Sequence, residues 1–367
     1  MALFIGLMSG TSADGIDVVL VDFTKNKPFQ IIATYMEPWT KADQDLINNL
    51  CSAKTTDLRN IGLLGNTYAQ TAARAINKLL KAVNIGAERV TAIASHGQTI
   101  RHEPHLGYSM QIANNALLAT LTKIDVVADF RSMDIALGGQ GAPVVPIFHN
   151  EILRSPNSNR FIVNIGGISN VSALIPNHDV IGFDTGPGNT MLDLMARNLL
   201  SQPHDTNGDV ARKGKIHYEV IDVFLKEPYF ELKPPKSTGR ELFNGDFLNR
   251  CQFFQTFSIE DKFATITELT ALTIIDGINA LQYRGEIFLC GGGIHNTFLV
   301  ERIKEHAITK GHRYVGLINE LGVDPDYIEA LAFAWLGYKF VNAEKIDMKN
   351  VTGASKPAIY GCLYPHP

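Results

Sequence analysis

The chain has 367 residues, more than one hydrophobic core ordinarily serves, so two domains with a cleft between them are expected. Hydrophobic residues make up 45% and charged residues 19%, the balance of a folded protein and not of a disordered one. Lys and Arg total 33 against 37 Asp and Glu, and the net charge of −4 gives no electrostatic reason to bind nucleic acid or an anionic membrane; a small-molecule substrate fits better.

Met1 to Leu7 is a short apolar run without a basic leader that enters a Gly/Ser/Asp turn directly, so it reads as a strand and not as a signal peptide. The chain turns at Ser9 to Asp14 and resumes at Ile16 to Phe23, which makes a hairpin. Helical spacing of apolar residues predicts a helix over 57–83, and 90–96 reads as a strand ending at His96 in a polar loop. A buried strand over 124–130 and a helix over 143–153, with Pro143 near its first turn, follow. The pattern then restarts. Residues 161–172 read as strand, glycine turn, strand, and 180–183 enters a second turn at 184–189, so two similarly organised halves are expected. Residues 190–284 read as mainly helical and 286–290 as a strand feeding Gly291-Gly292-Gly293 and a helix through Ile303. A long helix over 327–341 and a strand-like end over 357–363 complete the chain. Cys51, Cys251, Cys290 and Cys362 are far apart, so neither a zinc site nor a disulfide framework is suggested. No run of about 18 apolar residues occurs, and the cytoplasm is the expected compartment.

Three turns have the composition of phosphate loops. Met8-Ser9-Gly10-Thr11-Ser12-Ala13-Asp14-Gly15-Ile16-Asp17 offers glycines that let backbone approach an anion, hydroxyls that donate to it, and carboxylates that hold Mg²⁺ through water. It lacks the G-K-[ST] ending of a Walker loop, and an ordinary hairpin turn is the alternative. Asp184-Thr185-Gly186-Pro187-Gly188-Asn189 places an acid at a strand end before two glycines whose amides suit phosphate; a helix-capping Asp is the alternative. Gly291-Gly292-Gly293, followed by Asn296, is costly to order and suits a ligand lying on bare backbone, against close helix–strand packing as the alternative.

With Ser95-His96-Gly97-Gln98-Thr99, Asp129-Phe130-Arg131, Gly138-Gly139-Gln140-Gly141-Ala142-Pro143 and Asn164-Ile165-Gly166-Gly167, these segments resemble the signature series of anhydro-N-acetylmuramic acid kinases. The resemblance implies an α/β protein of two actin-like (ribonuclease H-like) domains, 1–157 and 158–340, with the active site in the cleft and 341–367 packing back on the first. It implies ATP and Mg²⁺, an amino-sugar substrate and a homodimer. The family opens the 1,6-anhydro bridge with water while moving the γ-phosphoryl group to O6, as in an inverting glycosidase whose acid is replaced by a phosphoryl group.

Carried onto this chain, Asp184 is the base and Glu329 pairs with the catalytic water. Ser9, Gly10, Thr11, Ser12, Ala13, Asp14, Gly15, Ile16, Asp17, Gly166, Gly167, Gly186, Gly188, Asn189, Gly291, Gly292, Gly293 and Asn296 hold the nucleotide. His96, Gln98 and Arg131 bind the sugar, and Asp14 and Asp17 reach the metal through water. Each has a plainer alternative: His96 as a structural histidine, Arg131 as a surface ion pair, Glu329 as a first-turn charge. Lys233-Pro234-Pro235-Lys236-Ser237-Thr238-Gly239-Arg240-Glu241 reads as a stiff, hydroxyl-rich loop suited to the nucleotide, or as a plain connection. A phosphatase or acyl-phosphate kinase on the same fold, or a nucleotide-gated binding module, are the rival functions.

Overall fold

A computed structural model describes residues 2–10, 13–24, 29–53 and 55–367, which form two units, Met1–Phe148 with Tyr327–Pro367, and His149–Asp326. In the first, β1 (Leu3–Ser9), β2 (Gly15–Asp22) and β3 (Gln30–Pro38) form an antiparallel meander. Then β4 (Val90–Glu103) lies parallel to β1, and β6 (Val126–Ala128) parallel to β4, with β5 (Tyr108–Ile112) turning back along the far end of β4. The strand expected to stop at His96 therefore runs on, because pairing with β5 from Gln98 to Glu103 takes over where β1 ends. The long helix Leu58–Ala82, started by the Asp57 side chain, buries Leu64, Tyr68, Ala72, Ile76 and Leu79 in the same core as these strands.

The second unit repeats the plan. Strands β7 (Arg160–Ile165), β8 (Ile168–Leu174) and β9 (Ile181–Pro187) form the meander; β10 (Glu286–Cys290) lies parallel to β7 and β11 (Tyr314–Leu317) parallel to β10. Both sheets thus place their first strand centrally, with the meander on one side and two parallel crossover strands on the other. That order, found twice, is the arrangement of the actin-like, ribonuclease H-like fold. The helix Ile259–Ala280 covers the second sheet.

The chain then returns to the first unit through the helix Ile328–Val341 and β12 (Cys362–Tyr364), which pairs antiparallel with β6. This helix, expected with the second domain, belongs to the first because Gly6 admits it: a Cβ there would lie 1.9 Å from the Ala330 carbonyl. Among the described residues no helix is long and apolar enough to cross a membrane.

One ion cluster braces the second unit. Glu268 has no exposed surface and accepts from Arg302 Nε at 2.6 Å, Arg302 Nη2 at 2.9 Å and Tyr218 Oη at 3.0 Å, with His306 Nε2 at 2.8 Å. Burial pushes its carboxyl up, but these partners prevail and hold it at about 2 against an ordinary 4.5. With the folded value below the unfolded one, the stabilisation is complete above pH 4.5 and is lost as pH falls towards 2. Glu268→Gln is expected to flatten that part of the stability–pH curve, measured by chemical denaturation. Gly6→Val is expected to cost about 3 kcal/mol of stability through overpacking, and an unchanged denaturation midpoint would contradict the close helix–strand contact.

Candidate active site

In the first unit the β1–β2 turn is anchored from beneath. Ser9 Oγ lies 2.6 Å from Gln98 Oε1 and 2.9 Å from the Gly15 carbonyl and accepts from Trp39 Nε1 at 3.1 Å, while Gln98 Nε2 donates to the Gly10 carbonyl at 3.2 Å. Ser9 and Gln98, expected on nucleotide and sugar, are both buried, and their side chains bond each other beneath the turn. The Ala13 and Ile16 side chains likewise belong to the core, leaving only their backbone for a ligand. Asp14 is exposed and Asp17 half-buried, and Gly15 is pressed so closely on the Glu37 carbonyl that a Cβ would lie 2.7 Å from it. Thr11 and Ser12 lie outside the described residues.

Beside this turn His96 and Arg131 form a pair. Arg131 donates to His96 Nε2 from Nε at 3.2 Å and lies at 2.8 Å through Nη2, and its Nη1 donates to the Gly141 carbonyl at 3.0 Å. A ring nitrogen that accepts from a guanidinium carries no proton, so His96 is neutral with its proton on Nδ1. Burial first, and the Arg131 cation second, hold its pKa well below the ordinary histidine range. His96 therefore orients Arg131 and does not act as an acid near neutrality. Glu329 is half-buried in the first turn of the helix Ile328–Val341.

In the second unit Asp184 sits within β9, not at its end, and is buried. It caps no helix. Its Oδ2 accepts from the Thr238 amide at 2.9 Å, its own amide donates to the Lys236 carbonyl at 3.1 Å, and Tyr229 Oη donates to its carbonyl at 2.7 Å. The segment 233–241 is thus a strap over Asp184. Lys236 is buried too, donating to the Tyr229 carbonyl at 3.1 Å and lying 4.5 Å from the Tyr229 ring and 6.0 Å from that of Phe183. Burial lowers its pKa, and the nearby Asp184 charge opposes that shift.

The glycine turns divide by what lies before them. Gly188 and Asn189 donate their amides to the Gly167 and Gly166 carbonyls at 3.0 and 2.8 Å, so those amides, expected on phosphate, bind the two turns together. Gly186 has φ +148 and faces Phe230 and Thr273. Gly291 has φ +79 and would bring a Cβ 2.2 Å from Asn164 Oδ1, and Gly293 would bring one 2.2 Å from Ile165. Both glycines satisfy packing. Gly292 is exposed, its φ is not left-handed, and nothing lies within 4 Å of where its Cβ would be. The Asn296 side chain, expected on nucleotide, caps the helix Thr297–Thr309 by accepting from the Leu299 amide at 3.0 Å.

A family model described as anhydro-N-acetylmuramic acid kinase matches residues 2–366. The chain belongs to the anhydro-N-acetylmuramic acid kinase family. It is 43% identical over 366 residues to the anhydro-N-acetylmuramic acid kinase of Shewanella pealeana, covering 99% of this chain and 98% of that one. It is 41% identical to that of Pasteurella multocida, covering 99% and 96%, and 39% identical to that of Pseudomonas fluorescens, covering 100% of both. It is also similar, with a TM-score of 0.48 and 15% identity over 92% of this chain and 98% of the other, to component A of the (R)-2-hydroxyglutaryl-CoA dehydratase of Acidaminococcus fermentans.

Around the candidate residues of this anhydro-N-acetylmuramic acid kinase family member, Tyr229, Asp134 and Thr352 are ordinary residues whose partners are remote in sequence and which the sequence does not single out; Lys236 lies in the loop 233–241 that it does single out. Gly292→Val is expected to raise the KM for ATP with little change in melting temperature, whereas Gly293→Val should destabilise the fold. If both only destabilise, Gly292 is a packing glycine like its neighbours.

Proposed function

We propose that this protein uses ATP to phosphorylate O6 of 1,6-anhydro-N-acetylmuramic acid while water opens the anhydro bridge, giving N-acetylmuramic acid 6-phosphate and ADP. Water attacks C1 and loses a proton to Asp184, the C1–O6 bond breaks, and O6 takes the γ-phosphoryl group as ADP leaves. The observation that carries this reading is the housing of Asp184. A buried carboxylate fixed by an amide, with a buried cation near enough to act on its charge, is positioned for proton chemistry.

Glu329 shares the catalytic water in this reading, and the Arg131 fork takes the lactyl carboxylate, since guanidinium matches carboxylate geometry. Open backbone at Gly292 takes the nucleotide, with the remaining glycines shaping its loops. Among the described residues no group of three or more His, Cys, Asp or Glu side chains forms a metal cage. In this reading hydrated Mg²⁺ would keep its waters and be held through them by Asp14, which is exposed, and Asp17, which is half-buried. Bound there, Mg²⁺ would neutralise phosphate charge. All four cysteines are free, in keeping with a cytoplasmic location. A homodimer is part of the proposal, to be read by light scattering. Membership of a sugar-kinase family weighs against the phosphatase and binding-module readings.

Asp184→Asn is expected to lower kcat by two to four orders of magnitude, about 3 to 5 kcal/mol of barrier, with both ligands still bound. In ¹⁸O water the label should enter at C1 and not in the phosphate. Near-normal turnover, or label in the phosphate, would remove Asp184 from this role.

A further inference from the structure

The loop that holds Arg131 is itself held from the far end of the chain. Asp134 has no exposed surface, and its carboxylate accepts from the Thr352 hydroxyl at 2.6 Å through Oδ1 and from the Gly141 amide at 2.7 Å through Oδ2. The Gly141 carbonyl, on the other side of the same residue, receives Arg131 Nη1 at 3.0 Å. Thr352 also accepts the Gln140 amide on its backbone carbonyl at 2.9 Å, and Ser355 donates its amide to the Leu137 carbonyl at 2.9 Å. The loop is built for this carboxylate: Gly141 has φ +70, and a Cβ on Gly139 would lie 2.3 Å from Asp134 Oδ2.

We propose that Thr352 is a positioning residue for the sugar, acting through Asp134 and the Gly141 peptide to aim the Arg131 guanidinium. This rests on the reading of Arg131 as the sugar's carboxylate contact. The reasoning is geometric. A guanidinium has one useful orientation towards a carboxylate, and here His96 Nε2 and the Gly141 carbonyl both hold it. The first is fixed within β4; the second lies on a glycine-rich loop that a single buried carboxylate organises. Asp134 keeps the loop in place only while its own acceptors are satisfied, because an unpaired buried carboxylate is strongly unfavourable. Thr352 supplies the side-chain donor, so the segment after the last long helix belongs to the site's supporting structure.

A double-mutant cycle tests this, with KM for 1,6-anhydro-N-acetylmuramic acid, KM for ATP and melting temperature measured for each variant. Thr352→Val, which keeps the shape and removes the hydroxyl, is expected to raise the sugar KM about tenfold with the ATP KM unchanged, and Thr352→Ser to restore most of it. In an Arg131→Gln background, where the sugar KM is already raised, Thr352→Val should add little. An unchanged sugar KM in Thr352→Val, a loss of stability alone, or full additivity with Arg131→Gln would overturn the proposal. If Arg131→Gln itself leaves the sugar KM unchanged, the reading of Arg131 fails and the proposal with it; if only the Thr352 effects are missing, that reading stands and the relay does not.

Discussion

A carboxylate removed from water must find donors and countercharge inside the protein, and in the second unit the strap 233–241 and Tyr229 meet that demand at Asp184. The side chain is buried on a sheet strand, where an isolated charge would be unfavourable by several kcal/mol. The strap of residues 233–241 supplies the Thr238 amide to one oxygen, and the Lys236 cation lies close enough to act on the charge. Lys236 is in turn buried and needs its own acceptor and aromatic surroundings, which Tyr229 provides while also bonding the Asp184 carbonyl. These side chains share partners, so the group is coupled.

The first unit meets the same demand with different residues. Asp134 has no solvent contact, and burial raises its pKa against the opposing effect of its two donors and of Arg131. Its partners come from a glycine loop and from the segment after the last long helix, so that loop and that segment are tied together. His96 is kept neutral by burial and by the cation beside it, which makes it a fixed acceptor. In each unit a buried carboxylate is held by donors from segments remote in sequence, the kind of restraint that preorganised catalysis uses.

The turns proposed for the site were legible because their signals are local. Glycines between strands, an acid after a β run and a hydroxyl-rich turn follow from covalent neighbours, and the repeat of strand, turn and strand announced two halves, which the sheet orders reproduce. Local pattern does not name partners, however. Ser9 and Gln98 bond each other across 89 residues, and the Asn296 side chain caps a helix. A polar residue in a glycine turn has the same sequence whether it faces a phosphate or the protein's own backbone.

What the sequence determined by itself was the inventory: the α/β class, the family, and the turns with backbone freedom for phosphate. Tertiary structure decided how that inventory is used. It left Gly292 open while packing closed over Gly291 and Gly293, and it drew the helix Ile328–Val341 onto β1 through the missing side chain of Gly6. It brought Thr238 to Asp184 across 54 residues and Thr352 to Asp134 across 218. The physical reason is common to all of these. Backbone preference acts over a few residues, whereas the partners of a buried charge and the space before a glycine depend on whichever segments folding brings together.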